Sequence, residues 1–255
     1  MKVVQVNLTT EDIIEERLIE VLGEGRNQWT YRQDLKSEED LWNNLRDKIV
    51  HNNLSEIGET PLTNNEFDKI KTELLLKTQT PFDAAQWLKG ENGIARITIE
   101  REDASLGAIS LILYSNQDIG GGISSYEVVH QIATQRSQED NHDRRFDVTL
   151  LINGLPIIQI ELKQAHAKDG IFAAFNQIKK YAAEGLFRGN IFSTLQLFVV
   201  SNEQTTRYFA NSLPKYMNPK FLFSWRTPDN EQVENLYEFV KAALNIPDAH
   251  RLFAL

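Results

Sequence analysis

The stretch FDVTLLINGLPIIQIELK, residues 146–163, decides the fold, because two runs of alternating side chains flank an Asn-Gly pair. Side chains in a strand point alternately to opposite faces, so each run has one apolar face. The other face carries Asp147 on the first run and Glu161 and Lys163 on the second. This pattern predicts an antiparallel hairpin that buries one side and presents charged groups on the other.

The loop of this hairpin must satisfy the hydrophobic pattern, because register is set by the face that is buried. A turn of Asn and Gly alone would place every apolar face opposite a polar one. A three-residue loop over 152–154, with Gly154 in the left-handed region, brings the apolar faces together. We therefore predict this loop, with Asp147 directly opposite Gln159 and Glu161 a diagonal neighbour on the same face.

The polar face of the hairpin carries groups that could bind magnesium. Asp147 and Glu161 would lie within about 7–8 Å of each other at Cβ. Mg²⁺ prefers oxygen ligands and keeps several waters, so two carboxylates suit it. Lys163 points the same way and could hold a water or stabilise charge on a phosphate. On spacing alone, the same residues could instead form the solvated face of an ordinary hairpin.

The following helix is predicted over 170–183 and places further polar groups near this face. Gln177 and Tyr181 are spaced i, i+4, so they lie on one side of that helix, and with Lys180 they could contact a phosphate backbone. Residues 143–188 hold seven Lys or Arg and five Asp or Glu, whereas the whole chain carries a formal net charge of −9. This excludes a general nucleic-acid binder and favours a local DNA contact.

The rest of the chain predicts helices before and after a group of strands, typical of an α/β or α+β domain around a mixed sheet. Ser37 and Thr63 are candidate helix caps, and Pro81 suggests a break. The predicted helices are 11–22, 37–50, 63–76 and 228–244; the predicted strands are 94–100, 108–114, 126–132 and 195–202, with a short hairpin or edge after them and a polar turn at 135–143.

Composition limits the possible functions. The 255 residues contain no cysteine, which excludes zinc-ribbon, iron–sulfur and thiol chemistry. No apolar run approaches the ~20 residues of a membrane span and no signal-peptide core is present, so we expect a soluble cytoplasmic chain without a membrane partner. No phosphate-binding loop motif occurs, so no ATP site is expected in this chain. The five histidines show no pair at metal-binding spacing.

Three motifs carry a resemblance to a known family. Asp147 followed by Glu161-Leu162-Lys163 resembles the PD-(D/E)xK nuclease motif, with Phe146 at the position of its leading proline. Gln177-x-x-x-Tyr181 resembles the motif of the RecB-like branch. More narrowly, RRFDVTLLINGLPIIQIELKQ, AFNQIKKY and LQLFVVSNEQTTRYFAN look like the N-terminal nuclease region of the R subunit of type I restriction–modification enzymes.

The resemblance implies a restriction-endonuclease-like fold and an Mg²⁺-dependent endonuclease that could also use Mn²⁺. Asp147, Glu161 and the Leu162 carbonyl would hold the metal, and Lys163 would position the attacking water. The first helix, IIEERLIEVL, resembles the family helix whose acid completes the site. Glu15 matches that acid best and Glu16 is the alternative. Further residues would bind DNA or support the site, namely Gln177, Tyr181, Arg145 and Lys180.

The resemblance also implies partners and a larger assembly. Double-stranded DNA would be cut at non-specific positions after ATP-driven translocation by motor domains that these residues lack, and ATP would bind only there. Methyltransferase and specificity subunits would complete the enzyme. We expect a nuclease domain over 1–227, with a helical part at about 1–80 and a catalytic core at about 94–211. Residues 228–255 would lead towards the motor.

We expect the excised domain to be weakly active or inactive alone. Two other functions remain open at this point. One is a non-catalytic docking domain of the R subunit. The other is a stand-alone repair or phage-type nuclease of the same superfamily. A second acid-x-lysine triplet, Asp34-Leu35-Lys36, has no strand before it and is not expected to contribute.

Overall fold

A six-stranded mixed sheet organises this computed structural model, which describes residues 10–25, 27–120, 122, 124–134, 144–164 and 169–252. The helices of the described residues are α1 (Thr10–Gly23), α2 (Glu38–Asn52), α3 (Leu54–Ile57), α4 (Asn64–Lys77), α5 (Pro81–Lys89), α6 (Gly170–Ala183), α7 (Leu236–Ala243) and α8 (Ile246–Arg251). The strands are β1 (Thr30–Tyr31), β2 (Ile94–Glu100), β3 (Ala108–Ser115), β4 (Tyr126–Thr134), β5 (Arg144–Ile152), β6 (Leu155–Leu162), β7 (Leu197–Ser201), β8 (Thr206–Ala210), β9 (Trp225–Arg226) and β10 (Gln232–Val233).

The order of strands in the main sheet is β1-β4-β5-β6-β7-β8. The β1–β4 and β6–β7 pairs are parallel, and the other three are antiparallel. Strands β2 and β3 form a separate hairpin, as do β9 and β10. The predicted fold class, a mixed sheet flanked by helices, is therefore confirmed. Both faces of β6 are covered, since every one of its residues is buried.

The loop between β5 and β6 differs from the prediction. Ile152 pairs with Leu155, so Asn153 and Gly154 form a two-residue turn with φ values of 53° and 79°. Two consecutive positive φ values are what a type I′ hairpin turn requires. A Cβ atom on Gly154 would lie 2.8 Å from the Cα atom of Leu45, so only glycine fits there. The three-residue loop that we predicted is wrong.

A bulge supplies the odd offset that the apolar pattern demands. Leu151 pairs with Pro156 while Leu150 pairs with Ile158, which leaves Ile157 as an extra residue in β6. Proline lacks an N–H and is tolerated at such irregular positions. Beyond the bulge, the apolar faces of β5 and β6 match, as predicted. The register there differs from the predicted register by two residues. Gln159 pairs with Thr149 and not, as we predicted, with Asp147.

Two of the predicted helix caps are confirmed, and a third helix begins where we expected a break. Ser37 and Thr63 each form a capping box at the start of α2 and α4. The break expected at Pro81 is wrong, because α5 begins there, with Thr80 accepting a hydrogen bond from the Asp83 amide. Proline in the first turn of a helix sacrifices no hydrogen bond, so it starts α5 and does not interrupt it.

The closing helix, predicted over 228–244, begins later than predicted, and a further helix, α8, follows it. The closing helix begins at Leu236 because the Asn235 side chain accepts from the next backbone amides and caps it there. The indole of Trp29 donates to the Leu244 carbonyl at 2.8 Å, and the Tyr126 hydroxyl lies 2.7 Å from Nδ1 of buried His250.

None of the helices described is long and apolar enough to cross a membrane. The polar turn expected at 135–143 lies outside the described residues.

Candidate active site

The acid pair lies where β5 and β6 run side by side. Val148 pairs with Ile160, and continuing that register by one residue sets Asp147 opposite Glu161. Asp147 therefore faces Glu161 directly, and the diagonal arrangement that we predicted is corrected. The prediction that both acids share one face holds, because the bulge preserves the alternation beyond it.

Hydrogen bonds tie this pair to the end of β6. The Leu162 amide donates to Oδ2 of Asp147 at 2.7 Å, and the Lys163 amide donates to the Ser201 carbonyl of β7 at 2.9 Å. Nζ of Lys163 lies 3.5 Å from Oε1 of Glu161. Three predicted groups, the two acids and the lysine, are thus brought together. The role of the Leu162 carbonyl stays a prediction.

One oxygen of the pair has no partner. Glu161 is 0% exposed, and its Oε2 atom is buried with no hydrogen bond from the described residues. A buried carboxylate oxygen without a partner loses its hydration and receives nothing in return. Its chemistry suits a hard cation, so the residues present fit Mg²⁺.

Burial raises both acid pKa values, and the charge of a neighbouring acid adds to each shift. Burial raises the pKa of Asp147 to about 7; the Leu162 amide opposes this shift, and the charge of Glu15 adds to it. The pKa of Glu161 is raised well above its ordinary value by burial and then by the charge of Asp147, with Lys163 opposing. Two close carboxylates without a cation between them favour the protonated form. A divalent cation would reverse that preference.

A third acid reaches this region from α1. Glu15 is 4% exposed, whereas Glu16 is exposed to solvent. The side-chain amide of Gln131 donates to both oxygens of Glu15, at 2.6 and 2.8 Å, and Nδ1 of His130 lies 3.6 Å from Oε2. The structure therefore buries Glu15 against Gln131 and leaves Glu16 in solvent. Neither Gln131 nor His130 was identified from the sequence.

The three acids do not by themselves form a complete metal cage. Among the residues that the structure describes, no group of three or more His, Asp or Glu side chains is arranged to hold a metal ion as it stands. A site of two carboxylates that relies on waters for its remaining ligands is nevertheless ordinary for magnesium. Glu15 as a direct ligand stays a prediction.

The other predicted residues lie on α6 and at the start of β5. Gln177 donates to the Tyr181 hydroxyl at 2.7 Å, so the two are paired as their spacing predicts. The ring of nearly buried Tyr181 lies 5.8 Å from that of Phe146, the residue at the proline position of the motif. Arg145 is exposed, and Lys180 is exposed with an ion pair to Glu184 at 3.8 Å. Their contact with DNA stays a prediction.

The second acid-x-lysine triplet has different surroundings. Asp34 is largely exposed and pairs with Arg32 at 2.6 Å, which lowers the pKa of that carboxyl. It lies in the segment between β1 and α2, outside any strand. Asp34 thus makes a simple surface ion pair, as its sequence context indicated.

Comparison with known proteins identifies relatives over most of the chain. Residues 8–216 match the family model described as Type I restriction enzyme R protein N terminus. The chain is 29% identical over 214 residues to the type I restriction enzyme SauMSSORF170P endonuclease subunit of Staphylococcus aureus, covering 83% of this chain and 21% of that protein. It is 43% identical over 111 residues to the type I restriction enzyme EcoprrI endonuclease subunit of Escherichia coli, covering 43% of this chain and 35% of that protein.

Proposed function

Because the chain belongs to the family of type I restriction enzyme R protein N termini, we propose that it carries the Mg²⁺-dependent endonuclease site of such a subunit. The observation that supports this most is the pair of half-buried Asp147 and buried Glu161, with Lys163 beside it and a Glu161 oxygen that receives no hydrogen bond from the described residues. A hairpin with an ordinary solvated face would leave these carboxylates in water. Here burial of the ionised acids costs free energy that a bound cation would recover.

In this proposal Asp147, Glu161 and the Leu162 carbonyl would hold the metal, and Glu15 would complete the acidic group. Bound Mg²⁺, or Mn²⁺ in its place, would supply Lewis-acid activation of a water and neutralise charge on the phosphate. The Leu162 amide holds Asp147 in place through its hydrogen bond. The pairing of β6 with β7 fixes the backbone from which Lys163 extends.

Lys163 performs the other chemical role. Its ammonium group orients the attacking water and stabilises the negative charge that develops on the phosphoryl oxygens. Attack of water on phosphorus breaks the bond to the 3′ oxygen, leaving a 3′-hydroxyl and a 5′-phosphate. Gln177 and Tyr181 orient DNA or support the site, and Arg145 and Lys180 contact the phosphate backbone.

The remaining functions belong to a larger protein, since the chain spans about a fifth to a third of the length of these relatives. We propose that double-stranded DNA is the substrate, cut at non-specific positions after ATP-driven translocation by motor domains outside these residues. A specificity subunit would recognise the DNA sequence, a methyltransferase subunit would methylate it, and the assembly would act in the cytoplasm. Residues 1–227 would be the nuclease domain, 228–255 would lead towards the motor, and the chain alone would be weakly active or inactive.

A divalent-metal titration of the 255-residue chain tests the proposal. We expect Mn²⁺ to bind in a calorimetric titration, and expect Asp147→Ala and Glu161→Ala to lose that binding. Asp34→Asn is the matched control, because it removes the acid of the second acid-x-lysine triplet and should bind as the parent does. A parent chain without carboxylate-dependent binding would overturn the proposal and favour a non-catalytic docking domain.

A further inference from the structure

Strand β4 contains a residue in the left-handed backbone region. Gln131 has a φ of 53°, a conformation that residues other than Gly, Asn and Asp adopt infrequently. The register of β4 with β5 passes from His130↔Val148 to Ile132↔Phe146, so Gln131 lies across from Asp147. The unusual backbone is therefore adjacent to the acid pair.

This backbone brings two consecutive side chains to one carboxylate. Successive residues of a regular strand point to opposite faces. Yet the Gln131 amide lies 2.6 and 2.8 Å from the oxygens of Glu15, and Nδ1 of His130 lies 3.6 Å from one of them. The Tyr31 hydroxyl, 2.8 Å from Nε2 of His130, holds the imidazole from its other side. The left-handed residue breaks the alternation, and both side chains reach Glu15 as a result.

The hydrogen bonds to Glu15 leave room for a further interaction. A carboxylate has about four lone-pair positions, and Gln131 occupies one on each oxygen. Glu15 is buried, so water does not readily replace these bonds. Gln131, which holds Glu15, lies across from Asp147 in the sheet, and the charge of Glu15 is one of the causes that raise the pKa of Asp147. Gln131 thus fixes the direction of an acid without consuming its capacity to bind a cation.

We propose that Gln131 is a positioning residue whose left-handed backbone holds its amide against Glu15, so that Glu15 stays directed at the Asp147–Glu161 pair. This inference rests on the proposed metal site and extends it to a residue outside the acid–lysine motif. Uncommon backbone conformations persist where the surroundings impose them, and they concentrate at functional sites. Partners that orient a ligand from behind typically change metal affinity 10–100-fold when removed.

Gln131→Gly separates this role from a purely structural one. Glycine adopts positive φ freely, so the variant relieves the backbone while removing the amide. We expect an unchanged or higher Tm, together with Mn²⁺ binding about 10-fold weaker by calorimetry. Gln28→Gly is the matched control, because exposed Gln28 has a φ of 49° and should gain the same backbone relief with unchanged Mn²⁺ affinity. Gln131→Asn, which tolerates positive φ but is one methylene shorter, should weaken binding similarly.

A double-mutant cycle shows whether Gln131 acts through Glu15. In a Glu15→Gln background, adding Gln131→Gly should not weaken Mn²⁺ binding further, because the two residues act as one unit. If Asp147→Ala removes Mn²⁺ binding and Gln131→Gly binds as tightly as the parent, only the positioning role is overturned. If the parent shows no Asp147-dependent binding, the proposed function fails and this inference fails with it.

Discussion

Glu66 and Glu161 are both buried acids, 1% and 0% exposed, yet their surroundings are opposite in character. Glu66 accepts hydrogen bonds from Nε of Arg101 at 2.8 Å and from the amides of Glu102 and Thr63 at 2.8 and 2.9 Å. Burial opposes ionisation there, but these bonds outweigh it and lower the pKa of Glu66. Glu161 has Lys163 at 3.5 Å and an oxygen that accepts no hydrogen bond from the described part of the chain, and its pKa is raised.

The difference teaches that burial alone does not identify a functional acid. Equal burial of the same residue type gives opposite pKa shifts, because the number and charge of the hydrogen-bond donors decide the balance. The Glu66–Arg101 pair is complete within the protein, so removing one partner would leave a buried charge unpaired. The Asp147–Glu161 pair is incomplete among the described residues, and in our proposal its missing partner is a divalent cation. Each prediction below changes one side of this contrast.

The largest effect is expected for Lys163→Ala in the full-length R subunit assembled with its partners. Removing a group that stabilises developing charge in a transition state costs about 10²–10³-fold in rate. Cleavage of plasmid DNA, followed on gels, should fall by at least that factor. Lys241→Ala, an exposed lysine on α7, is the control and should cut at the parental rate. Parental cutting by Lys163→Ala would contradict its assigned role.

The next largest effect is a loss of stability at the complete pair. Glu66→Ala leaves the buried guanidinium of Arg101 without its partner, and breaking a buried ion pair costs about 3–5 kcal/mol. Urea unfolding monitored by fluorescence should show this decrease in the free energy of unfolding. Glu161→Gln, measured in the same way without metal, should show no decrease. Equal losses in both variants would remove the distinction between the two acids.

A smaller and opposite effect is expected for Asp147→Asn without metal. The pKa of Asp147 is about 7 in the folded protein and 3.8 for the ordinary group, so the folded state binds more protons between these values. Stability therefore falls as pH rises from about 4 to about 7. Asp147→Asn should add about 2 kcal/mol at pH 8, roughly half of the full shift at ~1.4 kcal/mol per pH unit, because Asp147 is partly exposed.

The pH series supplies the control for that stabilisation. At pH 4 the carboxyl of the parent is protonated when folded, so Asp147→Asn should change Tm little there. Thermal unfolding across pH 4 to 8, in a chelator, measures both ends of the window. A gain of equal size at both pH values would mean that ionisation of Asp147 is not the cause.

The smallest effect is stabilisation of the parent by magnesium. Ligands that bind only the folded state stabilise it by RT ln(1 + [L]/Kd), which is about 1.4 kcal/mol at ten times Kd. For a chain of this size, 10 mM Mg²⁺ at pH 8 should raise Tm by about 3–5 °C if Kd is ~1 mM. The shift should persist in Asp34→Asn and vanish in Asp147→Asn. A shift that survives Asp147→Asn would indicate binding elsewhere.

Much of the site could be predicted because its signals are local. The alternation over 146–163 identifies which acids share a face, and the capping residues Ser37 and Thr63 mark helix starts within one turn. The structure brings Asp147, Glu161 and Lys163 together as that pattern predicts. These features depend on periodicity and on neighbours a few residues away, which any single sequence displays.

The predictions were wrong where two local backbone structures satisfied the same hydrophobic pattern. A three-residue loop and a two-residue turn with a bulge both restore the apolar faces, and only packing against Leu45 and the presence of Pro156 distinguish them. Likewise, the alternation over 94–100 and 108–114 predicts strands but not that they form a hairpin separate from the main sheet. Strand pairing depends on contacts distant in sequence, which periodicity does not report.

By itself, the sequence determined the chemical groups of the candidate site and the face on which two of its acids lie, because strand alternation has a period of two. The family resemblance already preferred Glu15 to Glu16, but only the tertiary structure showed that Glu15 is buried and supplied Gln131, a partner 116 residues away. It also decided that Glu161 is buried without a full set of donors among the described residues. Burial, long-range hydrogen bonds and a left-handed backbone arise when distant segments pack together, and these properties turn two acids on a strand pair into a candidate metal site.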